Sequence, residues 1–259
     1  MVGSTKYKDF IILNKEMNKD NLDSMIKVLS RAKDTMINPR MLHFVSEIID
    51  IDAFPNKFIQ SFKEKFISEI KLRNKEHKKE WMPTDKVKYY QRRKIPKVEL
   101  LYSIESKIIK VNEYERYLHE EGNSERIYHH IHIMIIVDIG HNDYGRKEIK
   151  ICVNKAISRI SGLEEVVYED CICTKNYRVV SLGFLKLRDS NSKVKVETEF
   201  IDYYWHDLKN EFEDAIIRAS YLCKTEQKLL LPERFQKGNS FNITRLCCTN
   251  LSVKAFSAI

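Results

Sequence analysis

Two histidines one residue apart, His130-Ile131-His132, lie inside the run IYHHIHIMIIVD (127–138). Alternating residues of a strand point to opposite faces, so both imidazoles project the same way, about 7 Å apart along the chain. A divalent ion fits between two such side chains once a carboxylate approaches from a neighbouring strand. Lone histidines on sheet faces are more often structural, but burying two without partners is costly. Glu105 closes the segment VELLYSIES (98–106), which is expected to pair antiparallel with the histidine strand and so to bring a carboxylate to it. Glu115 and Glu121 compete for that role, and any single glutamate in so charged a chain could equally be solvated surface. A second chemistry sits in RASYLCK (218–224), where Arg218 and Lys224 stand three residues either side of Tyr221 and so share its helical face. A tyrosine hydroxyl between two cations has the makings of a nucleophile toward phosphorus, the cations stabilising a phenolate and holding phosphate oxygens. The bland alternative is one of 13 tyrosines at the rim of a helix.

The elements that must position these groups are legible in the hydrophobic pattern. Leu22, Met25, Ile26, Leu29 and Met36 recur at helical spacing over 20–36, with Asp20 or Asn21 as a cap. MLHFVSEIIDI (41–51) reads as a strand, and Phe54-Pro55 ends it. Phe58, Ile59, Phe62, Phe66, Ile67 and Ile70 form one stripe of a helix running to about residue 80. In 98–106, Val98, Leu100, Tyr102 and Ile104 alternate with Glu99, Leu101, Ser103 and Glu105. In the histidine strand, His130, His132, Met134 and Ile136 share one face, and Ile131, Ile133, Ile135 and Val137 the other. A helix follows over 145–161, stopping at Gly162; 166–173 and 177–187 look extended; and 200–224 reads as mostly helix, with Leu208, Phe212, Ala215, Ile216, Ala219 and Leu222 buried. From residue 41 the order is βαββαβ and then a helix. That predicts an α+β chain of the ferredoxin-like (split βαβ, RRM-like) type: an antiparallel sheet with helices on one face, preceded by an N-terminal helical extension and followed by a C-terminal helix bearing Tyr221.

Composition bounds the function. The 259 residues are 43% hydrophobic, enough for a buried core and too many for a disordered chain. No run of about 18 apolar residues predicts a membrane span. The first residues lack the apolar stretch of a secretory signal. The six cysteines contain no C-x-x-C pair, so neither a zinc ribbon nor a disulfide framework is expected, and a reduced cytoplasmic protein is the default. Between Lys63 and Lys97 stand 13 Lys and Arg against five acids, an excess as large as the net +8 of the whole chain. Such a block suits a nucleic-acid backbone, although a solvated helix face has the same composition.

A His-hydrophobic-His strand followed some 90 residues later by a helical Tyr-x-x-Lys resembles the HUH endonucleases, which include rolling-circle replication initiators and relaxases. More specifically, NPRMLHFVSEIIDI, FIQSFKEKFISEIK, YSIE, HIHIMIIVD and RASYLCKTEQ, in that order, resemble the replication proteins of filamentous phages and related prophages. The resemblance implies a nuclease domain over 38–240, between an extension (1–37) and a tail (241–259). It also implies His130, His132 and Glu105 as ligands of Mg²⁺ or Mn²⁺, Tyr221 as the nucleophile and Lys224 as the motif lysine. The implied reaction is transesterification on single-stranded DNA at a replication origin, leaving a 5′-phosphotyrosine and a free 3′-OH. Arg218 and the basic residues Arg92, Arg93 and Lys94 are then expected on the DNA. The segment between Glu105 and His130 is longer than the family's hairpin, which keeps Glu121 in contention. His129 should face away from the pair, and a single tyrosine argues against a two-tyrosine relay. No G-x-x-x-x-G-K-[ST] motif occurs, so unwinding would fall to a host helicase and synthesis to a host polymerase. The competing expectation is a non-catalytic nucleic-acid-binding or regulatory module of the same fold. RNA-recognition sheets, however, carry stacking aromatics where this chain has histidines and aliphatics.

Overall fold

A computed structural model describes residues 4–82, 92–110, 125–141, 143–163, 175–176, 181–185, 204–236 and 238–245. In chain order the elements are β1 (Ser4–Tyr7), β2 (Phe10–Leu13), α1 (Lys19–Thr35), β3 (Pro39–Glu47), α2 (Phe58–Trp81), β4 (Val98–Lys110), β5 (Glu125–Asp138), α3 (Arg146–Ser158), β6 (Lys175–Asn176), β7 (Ser181–Phe184), β8 (His206–Asp207), α4 (Phe212–Ser220) and β9 (Phe241–Ile243). The fold is mixed α+β. β1 and β2 form a hairpin, and seven strands form one sheet in the order β6-β7-β3-β5-β4-β9, with β8 also on β3. Every strand pairing among the described residues is antiparallel.

The alternation read from the sequence decides what each sheet face buries. Ile131, Ile133, Ile135 and Val137 of β5 join Val98, Leu100, Tyr102 and Ile104 of β4 in one core, closed by Phe58, Phe62, Phe66 and Ile70 of α2 and Ile149, Val153, Ala156 and Ile157 of α3. Met134 and Ile136 of β5, with Leu101 and Met41, face a second core. It is closed by Leu22, Met25, Val28, Leu29 and Ala32 of α1 and by Ala215, Ile216 and Ala219 of α4. Helices therefore cover both faces: α2 and α3 pack on one, and the last helix α4 joins α1 on the other. Each fully buried aliphatic side chain contributes roughly 1.5–3 kcal/mol. A strand so committed on both sides fixes its register, and a one-residue slip would exchange the two cores.

Three expectations are corrected. The helix expected over 200–224 spans only Phe212–Ser220. Ahead of it, β8 pairs Arg40 with Asp207 and Met41 with His206. The Asp207 carboxylate takes an ion pair from Arg40 (2.6 Å) and a hydrogen bond from the Lys209 amide (2.9 Å). Such local side-chain bonds compete with helix at its start. The N-terminal extension is a hairpin as well as a helix. Its four-residue strands turn through Lys8 at positive φ, with none of the Asn-Gly or Gly-rich signals that mark hairpins. The sheet also continues past residue 240, since β9 pairs with Leu101, Tyr102 and Ser103 of β4. The extended segment expected at 166–173 lies outside the described residues, as do Glu115 and Glu121.

Gly162 closes the loop after α3 at φ +78, and its carbonyl accepts from the amides of Ile49 and Asp50. A Cβ there would lie 2.3 Å from the Asp50 carbonyl oxygen and 2.9 Å from the Phe54 nitrogen. Gly162→Ala is expected to lower stability by about 2–4 kcal/mol, measured as a lower denaturant midpoint at unchanged slope.

Candidate metal centre and nucleophile

Register brings the three expected ligands together. β4 and β5 pair so that Glu105 stands opposite His130, and Ser103 opposite His132. The odd-numbered residues of β4 and even-numbered residues of β5 face the α1/α4 side, so the row Ile136, Met134 continues as His132 and His130 where that core ends. Nε2 of His130 and of His132 lie 3.4 and 3.6 Å from Glu105 Oε2. All three residues are buried, and their ligand atoms lie within 4.8 Å of one another. Donor atoms about 2.1 Å from one ion sit roughly 3.0–3.6 Å apart at angles from about 90° to 120°, so the separations from Glu105 Oε2 suit a small divalent cation. His132 Nε2 makes no hydrogen bond among the described residues, as expected of an atom reserved for a ligand.

The charge states agree with that use. Burial holds His132 well below the usual imidazole range, and lowers His130 against the pull of Glu105, so both present neutral nitrogens. Burial alone would raise the Glu105 carboxyl. The hydrogen bond with His130 and the surrounding charges, Lys228 and Lys224 among them, pull it down to about 2. Two neutral imidazoles and a carboxylate therefore converge on one point, a site able to hold a metal ion.

The nucleophile candidate arrives from the C-terminal side. α4 ends at Ser220 and tightens into a 3₁₀ turn over Tyr221–Cys223. Lys224 then leaves in an extended conformation, so the helical face expected to join Arg218, Tyr221 and Lys224 stops short of Lys224. Lys224 reaches the tyrosine by folding back. Its Nζ donates to the Tyr221 hydroxyl at 2.7 Å and lies 2.8 Å from Glu105 Oε2. Burial opposes its charge, but Glu105 and the hydrogen bonds it makes raise its pKa, so Lys224 is an ammonium. The Tyr221 ring packs edge-on against His132, centroids 4.9 Å apart. One buried lysine thus links the tyrosine to the carboxylate of the triad.

Two residues of this site escaped the sequence reading. His43, in β3 beside β5, sets Nε2 3.0 Å from His132 Nδ1, and burial keeps it well below the usual imidazole range. A hydrogen bond at the far nitrogen fixes the orientation of a metal-ligating histidine and the nitrogen it presents. The alternation of MLHFVSE held the signal, since His43 falls on the face of Met41 within the otherwise apolar run Met41–Val45. His43→Phe is expected to weaken Mn²⁺ binding about 10–100-fold, and His43→Gln, which keeps a hydrogen-bonding group, less. Titration of the metal-free protein with Mn²⁺ followed by electron paramagnetic resonance measures both. The second is Lys228, which donates to Ser103 Oγ (2.5 Å) and to the Ile104 carbonyl (2.6 Å). Burial pushes its pKa down to about 8 although Glu105 opposes this.

The remaining expected contacts divide. Arg218 is half-buried in α4, close enough for its charge to act on His43. Arg92, Arg93 and Lys94 precede Val98, seven residues and about 23 Å of strand from Glu105. Arg93 pairs with Glu148 of α3 at 2.7 Å and lies over the Tyr144 ring, on the α2/α3 side. Arg73 and Arg159 similarly engage Glu148 and Glu69 there. Arg73 and Arg93 of the basic block therefore lie across the sheet from the triad, committed to holding α2 and α3 together, whereas Lys97 donates to the Thr35 carbonyl at the end of α1. His129 faces away from the pair, its Nδ1 2.6 Å from Ser106 Oγ. Among the described residues no helix is long and apolar enough to cross a membrane.

Comparison of the chain with protein-family models, with curated proteins and with solved structures finds no match.

Proposed function

We propose that the protein is a metal-dependent, HUH-type single-strand DNA nickase that initiates rolling-circle replication. The observation that carries this reading is the Tyr221–Lys224–Glu105 chain, which sets a tyrosine hydroxyl one lysine away from a His-His-Glu ligand set. The strand order β7-β3-β5-β4, with α2 after β3 and α3 after β5, supports reading the sheet as a ferredoxin/RRM-like βαββαβ unit with α1 and α4 added on its other face. His130, His132 and Glu105 would hold a Mg²⁺ or Mn²⁺ ion, which when bound would supply a Lewis acid for a phosphoryl oxygen. Tyr221 Oη attacks phosphorus and its proton passes to solvent. The P–O3′ bond breaks, the 3′ oxygen takes up a proton, and the 5′ phosphate stays on the tyrosine. Lys224 holds the attacking oxygen in place and sets a fixed positive charge beside the phosphoryl oxygens as charge builds on them. Because the phosphodiester energy is kept in the phosphotyrosine, the strand can be resealed without ATP, and the free 3′-OH can prime a polymerase.

The test is incubation of a labelled single-stranded origin oligonucleotide with the protein and Mn²⁺. The reading expects a band of protein-linked DNA resistant to denaturation. Binding without such a band under any divalent metal would favour a non-catalytic nucleic-acid-binding module.

A further inference from the structure

Beside the catalytic turn lies a cavity of about 310 Å³ to which the nicking reaction assigns no role. Its lining is of two chemical kinds. Lys224 and Lys228 are cationic, the first shared with Tyr221 and Glu105. Asn18, Asn21 and Gln236 bring three side-chain amides, and Phe235 an apolar ring. The amides are partly committed in complementary senses. Asn18 Oδ1 accepts from the Asn21 backbone amide, which leaves its NH₂ as a donor. Gln236 Nε2 donates to the Leu231 carbonyl, which leaves its oxygen as an acceptor. Phosphate has no use for a carbonyl acceptor, whereas the edge of a nucleobase presents both kinds of partner. Leu229, 93% exposed on the rim, offers an apolar surface to a base face. The volume is at the lower end of the roughly 300–1,000 Å³ typical of ligand pockets, room for one nucleotide.

We infer that this cavity binds one deoxynucleotide of the DNA strand next to the scissile phosphate, its phosphate between Lys224 and Lys228 and its base against Asn18, Asn21 and Gln236. The inference rests on the nickase reading for the identity of the strand, and it adds a base preference at one position beside the nick. Because Lys224 belongs both to the cavity wall and to the tyrosine, filling the cavity also places the neighbouring phosphate at Tyr221.

Binding of mononucleotides tests it apart from catalysis. The full-length, metal-free protein is titrated by NMR with each of the four deoxynucleoside 5′-monophosphates and with inorganic phosphate. One nucleotide is expected to bind about tenfold more tightly than phosphate and than the least favoured base, the worth of one or two hydrogen bonds. Asn21→Leu should erase the difference between bases while leaving phosphate binding unchanged. Asn18, rather than the expected Asp20 or Asn21, caps α1, so Asn18→Asp keeps that cap but puts a negative charge in the cavity, and should weaken nucleotide and phosphate alike. Phosphate binding as tightly as every nucleotide, no binding at millimolar concentration, or a base preference that survives Asn21→Leu would each overturn the inference. A nucleotide bound as described by a protein that forms no DNA adduct would sink the nickase reading and leave the cavity assignment standing. An adduct without nucleotide binding would do the reverse.

Discussion

Tyr221→Phe is expected to abolish the covalent protein–DNA band while leaving the protein folded and able to bind metal. The variant loses only the hydroxyl, which accepts a hydrogen bond from Lys224 Nζ, and keeps the ring that packs against His132. A deleted nucleophile costs the whole covalent pathway, a loss of at least about 10³-fold in adduct formation. The stability cost is that of one hydrogen bond, about 1 kcal/mol. Three measurements on the same preparation separate the roles: adduct yield by denaturing gel, Mn²⁺ affinity and thermal midpoint. Loss of adduct with Mn²⁺ affinity unchanged and a thermal midpoint lowered by only about 2–4 °C is the expected pattern. Undiminished adduct would remove Tyr221 from the mechanism.

Glu105→Gln is expected to fail on both function and stability, for one reason. The carboxylate is fully buried, with Lys224 at 2.8 Å and the charge of Lys228 acting on it. An amide of the same shape leaves those cations without their counter-charge, a loss of about 3–5 kcal/mol for a broken buried pair. It also removes the one anionic ligand, so Mn²⁺ binding should disappear. The pH dependence of the stability deficit follows from two shifts. In the parent, Glu105 is held at about 2 against an ordinary 4.5, so its contribution is complete above the ordinary value and is lost as pH falls toward 2. In the variant, Lys228 no longer has Glu105 to oppose its burial, so its pKa falls below the parent's value of about 8. Folded variant then sheds that proton before the unfolded chain does, and its stability climbs with pH through that range. The gap between parent and variant should be widest near pH 5–6 and narrow toward both acid and pH 8. A gap independent of pH would mean that these charges do not govern the site.

Most of what places the triad could be read in advance, because period-two alternation in β4 and β5 is a strong physical pattern. A strand buried on both faces has one register that puts aliphatics in both cores, and that register sets Glu105 opposite His130. His43 was harder to see. Its importance depends on β3 lying beside β5 with Val45 opposite His132, a long-range pairing that no local spacing encodes. Lys224 was placed correctly next to Tyr221 but for an incomplete reason, since helical spacing ends at Ser220 and the contact is made by a lysine that turns back. Lys228 and the cavity were invisible, lying in a 3₁₀ and turn region without periodicity. The basic block shows the opposite weakness. Composition located it along the chain, yet only packing reveals that Arg93 and Arg73 face Glu148 on the far side of the sheet. Charge counting therefore pointed to a partner partly from residues, Arg73 and Arg93, that do not adjoin the triad.

The turn carrying Tyr221 is stapled to the beginning of the chain. Asn18 N donates to the Cys223 carbonyl and Thr225 N to the Glu16 carbonyl, Met17 bridges Lys224, and the Thr225 and Glu16 partners stand 209 residues apart in sequence. Contacts of such separation carry the largest loop-closure entropy and form late in folding. A ribosome emitting this chain would therefore have released the Glu105, His130 and His132 strands long before Tyr221 could be locked beside them. On the proposed nickase reading, the growing polypeptide is expected not to cut DNA until residues 16–18 meet residues 223–225.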